Sequence, residues 1–319
     1  MKKIAQVIFA LGLLLAAGYV GLNLYIQHNV ESFLTTLANT ARPIFSLEFE
    51  DISSTLDGMI AVSTVRIRPR DIDDEIVIDS VRIQTPGVKW LLPFTYRVND
   101  RTFPHIVTLS VSGVEVKLQG GLMRLINDVS ADLAKSYGIE HDDVCRSPDL
   151  FHGLYYTTLG YEKLRADLYI TYEWLKDRNQ WRVVATALDS EKNGFELESQ
   201  MTLPTAAEIQ ASRPFEAKLV SQSITIYEQD LLNRVAAYCQ RQHAMDIVAL
   251  ITAKVNAGDK EYAKKWGVIP GVGLREAYGK HIRSGDPFTL TLKPNSPIDL
   301  KELAFHSAEN LVTVLNAKL

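Results

Sequence analysis

Between Leu164 and Trp174 the chain alternates with a period of two. Leu164, Ala166, Leu168, Ile170, Tyr172 and Trp174 fall on one parity, and Lys163, Arg165, Asp167, Thr171 and Glu173 on the other. Such a period over this length describes an extended strand with one face buried. Antiparallel sheets are the ones that can leave a face in water, so the pattern sets the fold class. Lys176-Asp177-Arg178-Asn179 turns this strand into a second over Gln180 to Leu188, and Lys192-Asn193-Gly194 turns that into a third through Phe195, Leu197, Ser199, Met201 and Leu203. A fourth, Phe215 to Tyr227, completes a meander over 163–227.

An earlier meander is expected over 28–120. Phe45, Leu47 and Phe49 alternate with Ser46, Glu48 and Glu50, and Leu56-Asp57-Gly58 marks a turn into Met59 to Arg68. Val65-Arg66-Ile67-Arg68-Pro69 is then echoed by Val81-Arg82-Ile83-Gln84-Thr85-Pro86, and Ile106 to Leu118 reads as a further strand. Between the meanders the period becomes helical. Leu122, Leu125, Ile126, Val129 and Leu133 predict a helix from Gly121 to Tyr137 stopped at Gly138, and a second helical piece covers Leu150 to Leu159, so residues 121–162 form a helical crossover. From 228 to 319 the chain is mainly helical, with one late strand through Phe288, Leu290 and Leu292 ended by Pro294. The expected class is α+β, with curved antiparallel meanders and a helical C-terminal part.

Ahead of this body, Met1-Lys2-Lys3 leads into Ile4 to Ile26, which carries no charge. As a helix the stretch is about 34 Å long, enough to cross a bilayer. A cleaved signal peptide is the rival, cut after Ala16-Ala17-Gly18, but its apolar stretch would be shorter, and here Tyr19, Val20, Leu22, Leu24 and Tyr25 continue it. An uncleaved transmembrane anchor over residues 1–27 is therefore expected, held in the inner membrane through residues 4–26. Lys2 and Lys3 precede the span and the next basic residue after it is Arg42, so the positive-inside rule places the N-terminus in the cytoplasm and the C-terminal body in the periplasm. Without Lys2 and Lys3 the chain keeps 32 basic residues against 38 acidic ones, a balance that offers nucleic acid no general footprint.

The two cysteines, Cys145 and Cys239, lie 94 positions apart. In an oxidising periplasm a disulfide between them is expected, pinning the crossover to a long helix. The alternative from another class is a periplasmic hydrolase or metal enzyme. It would use one of the two cysteines as a nucleophile with His152, or a metal held by Cys145, Cys239, His141 and His243, of which Cys239 and His243 have helical i,i+4 spacing. Glu140-His141-Asp142-Asp143 resembles a metal-binding run by composition and reads equally as an exposed loop. Gly271-Val272-Gly273 lacks the third glycine of a dinucleotide loop, and no Gly-x-Ser-x-Gly or His-Glu-x-x-His occurs. No catalytic, cofactor or metal residue is assigned. Tyr155, Tyr156, Tyr161, Tyr169, Tyr172, Trp174 and Trp181 fit core and cross-strand pairs better than a sugar or lipid site.

The order of these features resembles a known group. The anchor, the unit Gly58-Met-Ile-Ala-Val-Ser-Thr-Val-Arg-Ile-Arg-Pro69 and Ile76-Val-Ile-Asp-Ser-Val-Arg-Ile83 resemble the opening of AsmA-like periplasmic proteins. Leu159-Gly160-Tyr161 before a meander, a cysteine in the long helix, and Phe288-Thr-Leu-Thr-Leu-Lys-Pro294 are similar to proteobacterial anchored proteins of the same broad group. The resemblance implies a non-enzymatic envelope role, lipid or protein binding on a curved sheet, and no transferable site residue.

Overall fold

The computed structural model describes residues 2–87, 90, 104–125, 128, 144–145, 153–189, 192–202, 217–266, 268–303 and 306–318, with the side chains of 2–19 outside this set. Several expected features therefore lie outside the described residues: the helix over 129–137 with its Gly138 stop, Glu140 to Asp143, the start of the helical piece at Leu150, and the strand ends at Leu203 and Phe215.

Helix α1 (Lys2–Ala41) runs 40 residues as one element and stops at the Arg42-Pro43 step, where the residue before proline is driven out of the helical region. Its later half belongs to the body. Leu22, Ile26, Val30 and Leu34, one helical stripe, pack on Ile52 and Ile60, and Ile26 is fully buried. Asn23 Oδ1 accepts a hydrogen bond from Ser54 Oγ at 3.0 Å. Contact between this helix and the sheet thus starts at Leu22. Among the described residues, which leave out the side chains of 2–19, no helix is long and apolar enough to cross a membrane.

Strands β1 (Phe45–Glu48), β2 (Ile52–Ser54), β3 (Met59–Pro69), β4 (Ile76–Gln84), β5 (Ile106–Lys117), β6 (Lys163–Leu175), β7 (Gln180–Asp189), β8 (Gly194–Thr202), β9 (Lys218–Tyr227), β10 (Phe288–Leu292) and β11 (Ile298–Asp299) form one curved antiparallel sheet. The order is β1-β3-β4-β5-β6-β7-β8-β9-β10, with β2 beside β3 and β11 beside β9. The two expected meanders share this one sheet, because β5 pairs with β6 from Ile106↔Glu173 to Lys117↔Lys163. Between these two strands the described residues hold a helical turn at 121–125 and helix α2 (Gly153–Thr158).

Turn chemistry sets the hairpins. Asn179 at φ 52 closes β6 onto β7, and Lys192 at φ 64 followed by Gly194 at φ 146 closes β7 onto β8. Gly194 admits no substitute, since a Cβ there would run into the Ala187 backbone.

After β9 come α3 (Gln229–His243), α4 (Ile247–Val255), α5 (Asp259–Trp266) and α6 (Val272–Ser284), followed by β10, β11 and two short helices, α7 (Leu300–Leu303) and α8 (Ala308–Val314). Asp246 caps α4 by accepting from Ala249 N at 2.7 Å. Gly279 lets α6 approach α4 closely, because a Cβ there would stand 2.9 Å from Val255. The best-buried core of the described residues lies among these helices: Leu231, Val235, Leu250, Tyr278 and Ile282 surround Cys145 and Cys239.

Candidate functional site

The sheet carries apolar side chains opposite one another from edge to edge. Across β6 and β7 the pairs are Leu168↔Ala187, Ile170↔Ala185, Tyr172↔Val183 and Trp174↔Trp181. They continue into β5 as Val107↔Tyr172, Leu109↔Ile170 and Val111↔Leu168, and into β8 and β9 as Ala187↔Phe195 and Phe195↔Ile226. Ile60, which packs with Ile26 and Val30 of α1, is buried, as are Val62 and Val65 on the same strand, whereas the apolar residues that β4, β5, β6 and β7 place on this face are half-buried, and Phe195 is 42% exposed. An apolar sheet surface that wide and that open is the most conspicuous binding feature of the described residues. Trp181 anchors one end of it, with its ring 5.0 Å from Tyr172 and 4.8 Å from Trp174.

The apolar face survives a break in strand parity. In β3 the apolar positions are Ile60 and Val62, then Val65 and Ile67; in β4 they are Ile76 and Ile78, then Val81 and Ile83; in β5 they are Val107, Leu109 and Val111, then Val114 and Val116. The three breaks are aligned, since Ser63 pairs with Ser80 and Ser80 with Ser112. Thr64 (φ 47) and Gly113 (φ 66) supply left-handed residues at this line, and β5 shifts register against β6 between Val111 and Val114. The register shift in β5 is a bulge, which bends that strand, and apolar residues still meet apolar ones beyond the line, as in Val65↔Ile78 and Val114↔Ala166.

The opposite face is charged and paired. Arg182 reaches Glu198 at 2.8 Å and Glu173 at 3.5 Å, which holds the Glu198 carboxyl below its ordinary range and the Arg182 guanidinium above its own. Lys163 donates to Glu115 at 2.8 Å and lowers that carboxyl in the same way. At one end of the sheet this face opens into a cleft of about 870 Å³ whose lining includes Arg68, Asp74, Glu75, Lys117, Arg124 and Lys163. Its charges are mixed, and Asp74 is occupied by the backbone N–H groups of Glu75 and Leu122.

The candidate residues read from sequence separate into three groups. Cys145 and Cys239 lie at disulfide distance with Cα atoms 5.6 Å apart, both fully buried, so neither sulfur is presented as a nucleophile or a metal ligand. His243 lies at the exposed end of α3, while His141 and His152 lie outside the described residues. Among the described residues no three His, Cys, Asp or Glu side chains gather as metal ligands.

No family model matches this chain, and no curated protein matches it.

One polar pair escaped the sequence reading. His281 on α6 and Glu228 at the start of α3 are both buried, with Nε2 2.7 Å from Oε1, and His281 Nδ1 faces the Asp286 carbonyl. A carbonyl only accepts, so Nδ1 carries hydrogen, and a single proton serves the bond between Nε2 and Oε1. The pair ties the β9–α3 junction to the α6–β10 junction. Lys254, also fully buried, donates to the Val144 carbonyl at 3.0 Å beside the cysteine pair. Nothing in the spacing of Glu228 and His281, 53 positions apart, signals their contact.

Proposed function

We propose that this chain is a membrane-anchored protein of the bacterial envelope, with its body in the periplasm, that binds lipid acyl chains on the apolar face of its sheet and performs no covalent chemistry. The observation that carries the reading is the continuous, half-buried apolar surface across β4 to β7. Among the described residues no second layer of secondary structure packs over these strands, which leaves their side chains for an apolar ligand. The uncharged N-terminal stretch and its leading lysines support the anchor and its direction. The resemblance to AsmA-like proteins supports the same role.

The test is native mass spectrometry of the full chain extracted in mild detergent. Adducts at phospholipid masses are expected on the wild type and are expected to be lost from Phe195→Glu, which places a charge on the open part of the face at a residue that the fold leaves exposed. A lipid-free wild-type spectrum, or adducts unchanged by the substitution, refutes the proposal.

A further inference from the structure

We infer that the body rests directly on the bilayer surface, with the turn Thr55–Gly58 between β2 and β3 docked at the lipid headgroup boundary beside the last turn of the span. This rests on the membrane-anchored reading above. It begins from a conflict over five residues. The uncharged stretch extends from Ile4 to Ile26, yet Leu22 and Ile26 are packed on Ile52 and Ile60, and the Asn23 side chain is hydrogen-bonded to Ser54. Residues committed to a sheet with charged neighbours cannot also lie in hydrocarbon. The stretch left to span the bilayer is Ile4 to Gly21, which as a helix is about 27 Å long and close to the ~30 Å of a bilayer's apolar core.

No linker separates span from body, because α1 continues unbroken from Lys2 to Ala41. Whatever touches Asn23 is therefore held within about one or two helical turns of the membrane boundary. Ser54 touches it, and the chain turns immediately afterwards. The turn is well tied. Thr55 N donates to Met59 O at 2.9 Å, and Thr85 N to Gly58 O at 3.0 Å. Gly58 sits at φ 96 against Thr85 with no room for a Cβ. Such a turn presents Leu56, 38% exposed, in a fixed position.

The neighbouring helix surface has matching character. Val20, Leu24 and Tyr25 are 53%, 60% and 52% exposed on the sides of α1 that the sheet does not cover. In water they would form an unpartnered apolar collar, whereas at a bilayer boundary Leu and Tyr are at home. The far end of β3 is the opposite, with Arg68, Arg70, Asp71, Asp73 and Asp74 at its close. The strand thus runs from an apolar end beside the anchor to a charged end facing away from it.

Depth measurements on the full-length chain in phospholipid vesicles decide the matter. Nitroxide labels are placed on L56C, L24C and D73C, introduced singly and labelled without reductant, so that the cysteine pair stays intact. Labels at 56 and 24 are expected to collide with oxygen and to be shielded from an aqueous nickel chelate, while the label at 73 meets the chelate freely. If L56C fails to fold, a label on D57C in the same turn takes its place. If the turn label is as open to nickel as position 73 while the protein resists carbonate extraction, the docking is wrong and the anchor stands. If carbonate releases the protein, the anchor falls and the docking with it.

Discussion

A covalent link between Cys145 and Cys239 works mainly on the unfolded chain, by closing a loop of 94 residues; this is worth about 4–5 kcal/mol. Urea unfolding should show C145A and C239A each losing roughly that amount, and the double variant losing little more than either, because one substitution already opens the loop. Additive losses would mean that the sulfurs act separately. Tyr262 gives a second residue-scale test. It is fully buried, its hydroxyl donates to the Lys254 carbonyl at 2.7 Å, and burial, with help from Glu261, raises its pKa against the pull of Arg275. A folded pKa above the unfolded value means that the neutral phenol's stabilisation is complete below about pH 10 and is lost as pH rises through the folded value. Tyr262→Phe should cost about 1 kcal/mol at neutral pH by loss of the hydrogen bond, and should flatten the alkaline fall in urea midpoint. An unchanged alkaline limb would show that Tyr262 does not titrate with unfolding.

Strand β5 turns on Gly113. A Cβ there would run into the Asp79 carboxylate, which is itself held by Arg165, and the Gly113 N–H donates to Asp167 at 2.7 Å. Gly113→Ala should lose about 1–2 kcal/mol for its left-handed backbone and more for the collision. Asp79→Ala made in the same chain should recover the collision part only, which chemical denaturation of the two singles and the double will resolve. This bulge line also marks where the sequence stopped being legible. Strands such as Gln180–Asp189 and Phe288–Leu292 follow from alternation and their flanking turns, because one face of each is apolar. The parity breaks in β3, β4 and β5 are each visible in sequence, but their alignment across three strands is a matter of register. The joining of β5 to β6 was hidden for a related reason: an excursion from Leu118 to Glu162 separates them, and pairing across such a gap leaves no local mark. His281 and Glu228 were hidden likewise, since a lone buried histidine becomes half of a pair only once α3 and α6 are placed.

Over the whole molecule, the division between anchor and body falls inside a single helix. Leu22, Ile26, Val30 and Leu34 cover the β2–β3 end of the sheet, and Ile26 and Val30 are 0% and 4% exposed. Full burial of two such side chains is worth about 3–6 kcal/mol, a large share of the ~5–15 kcal/mol that ordinarily separates folded from unfolded chains. A chain beginning at Leu22 should therefore fold without detergent, and its urea midpoint should match that of the full-length protein in detergent-free nanodiscs. A chain beginning at Arg42 uncovers Ile52 and Ile60 and should aggregate or unfold at markedly lower urea. Equal midpoints for the two truncations would mean that α1 is only a tether. A chain from Leu22 that failed to fold, with full-length protein intact in nanodiscs, would mean that the residues before Leu22 also hold the body together.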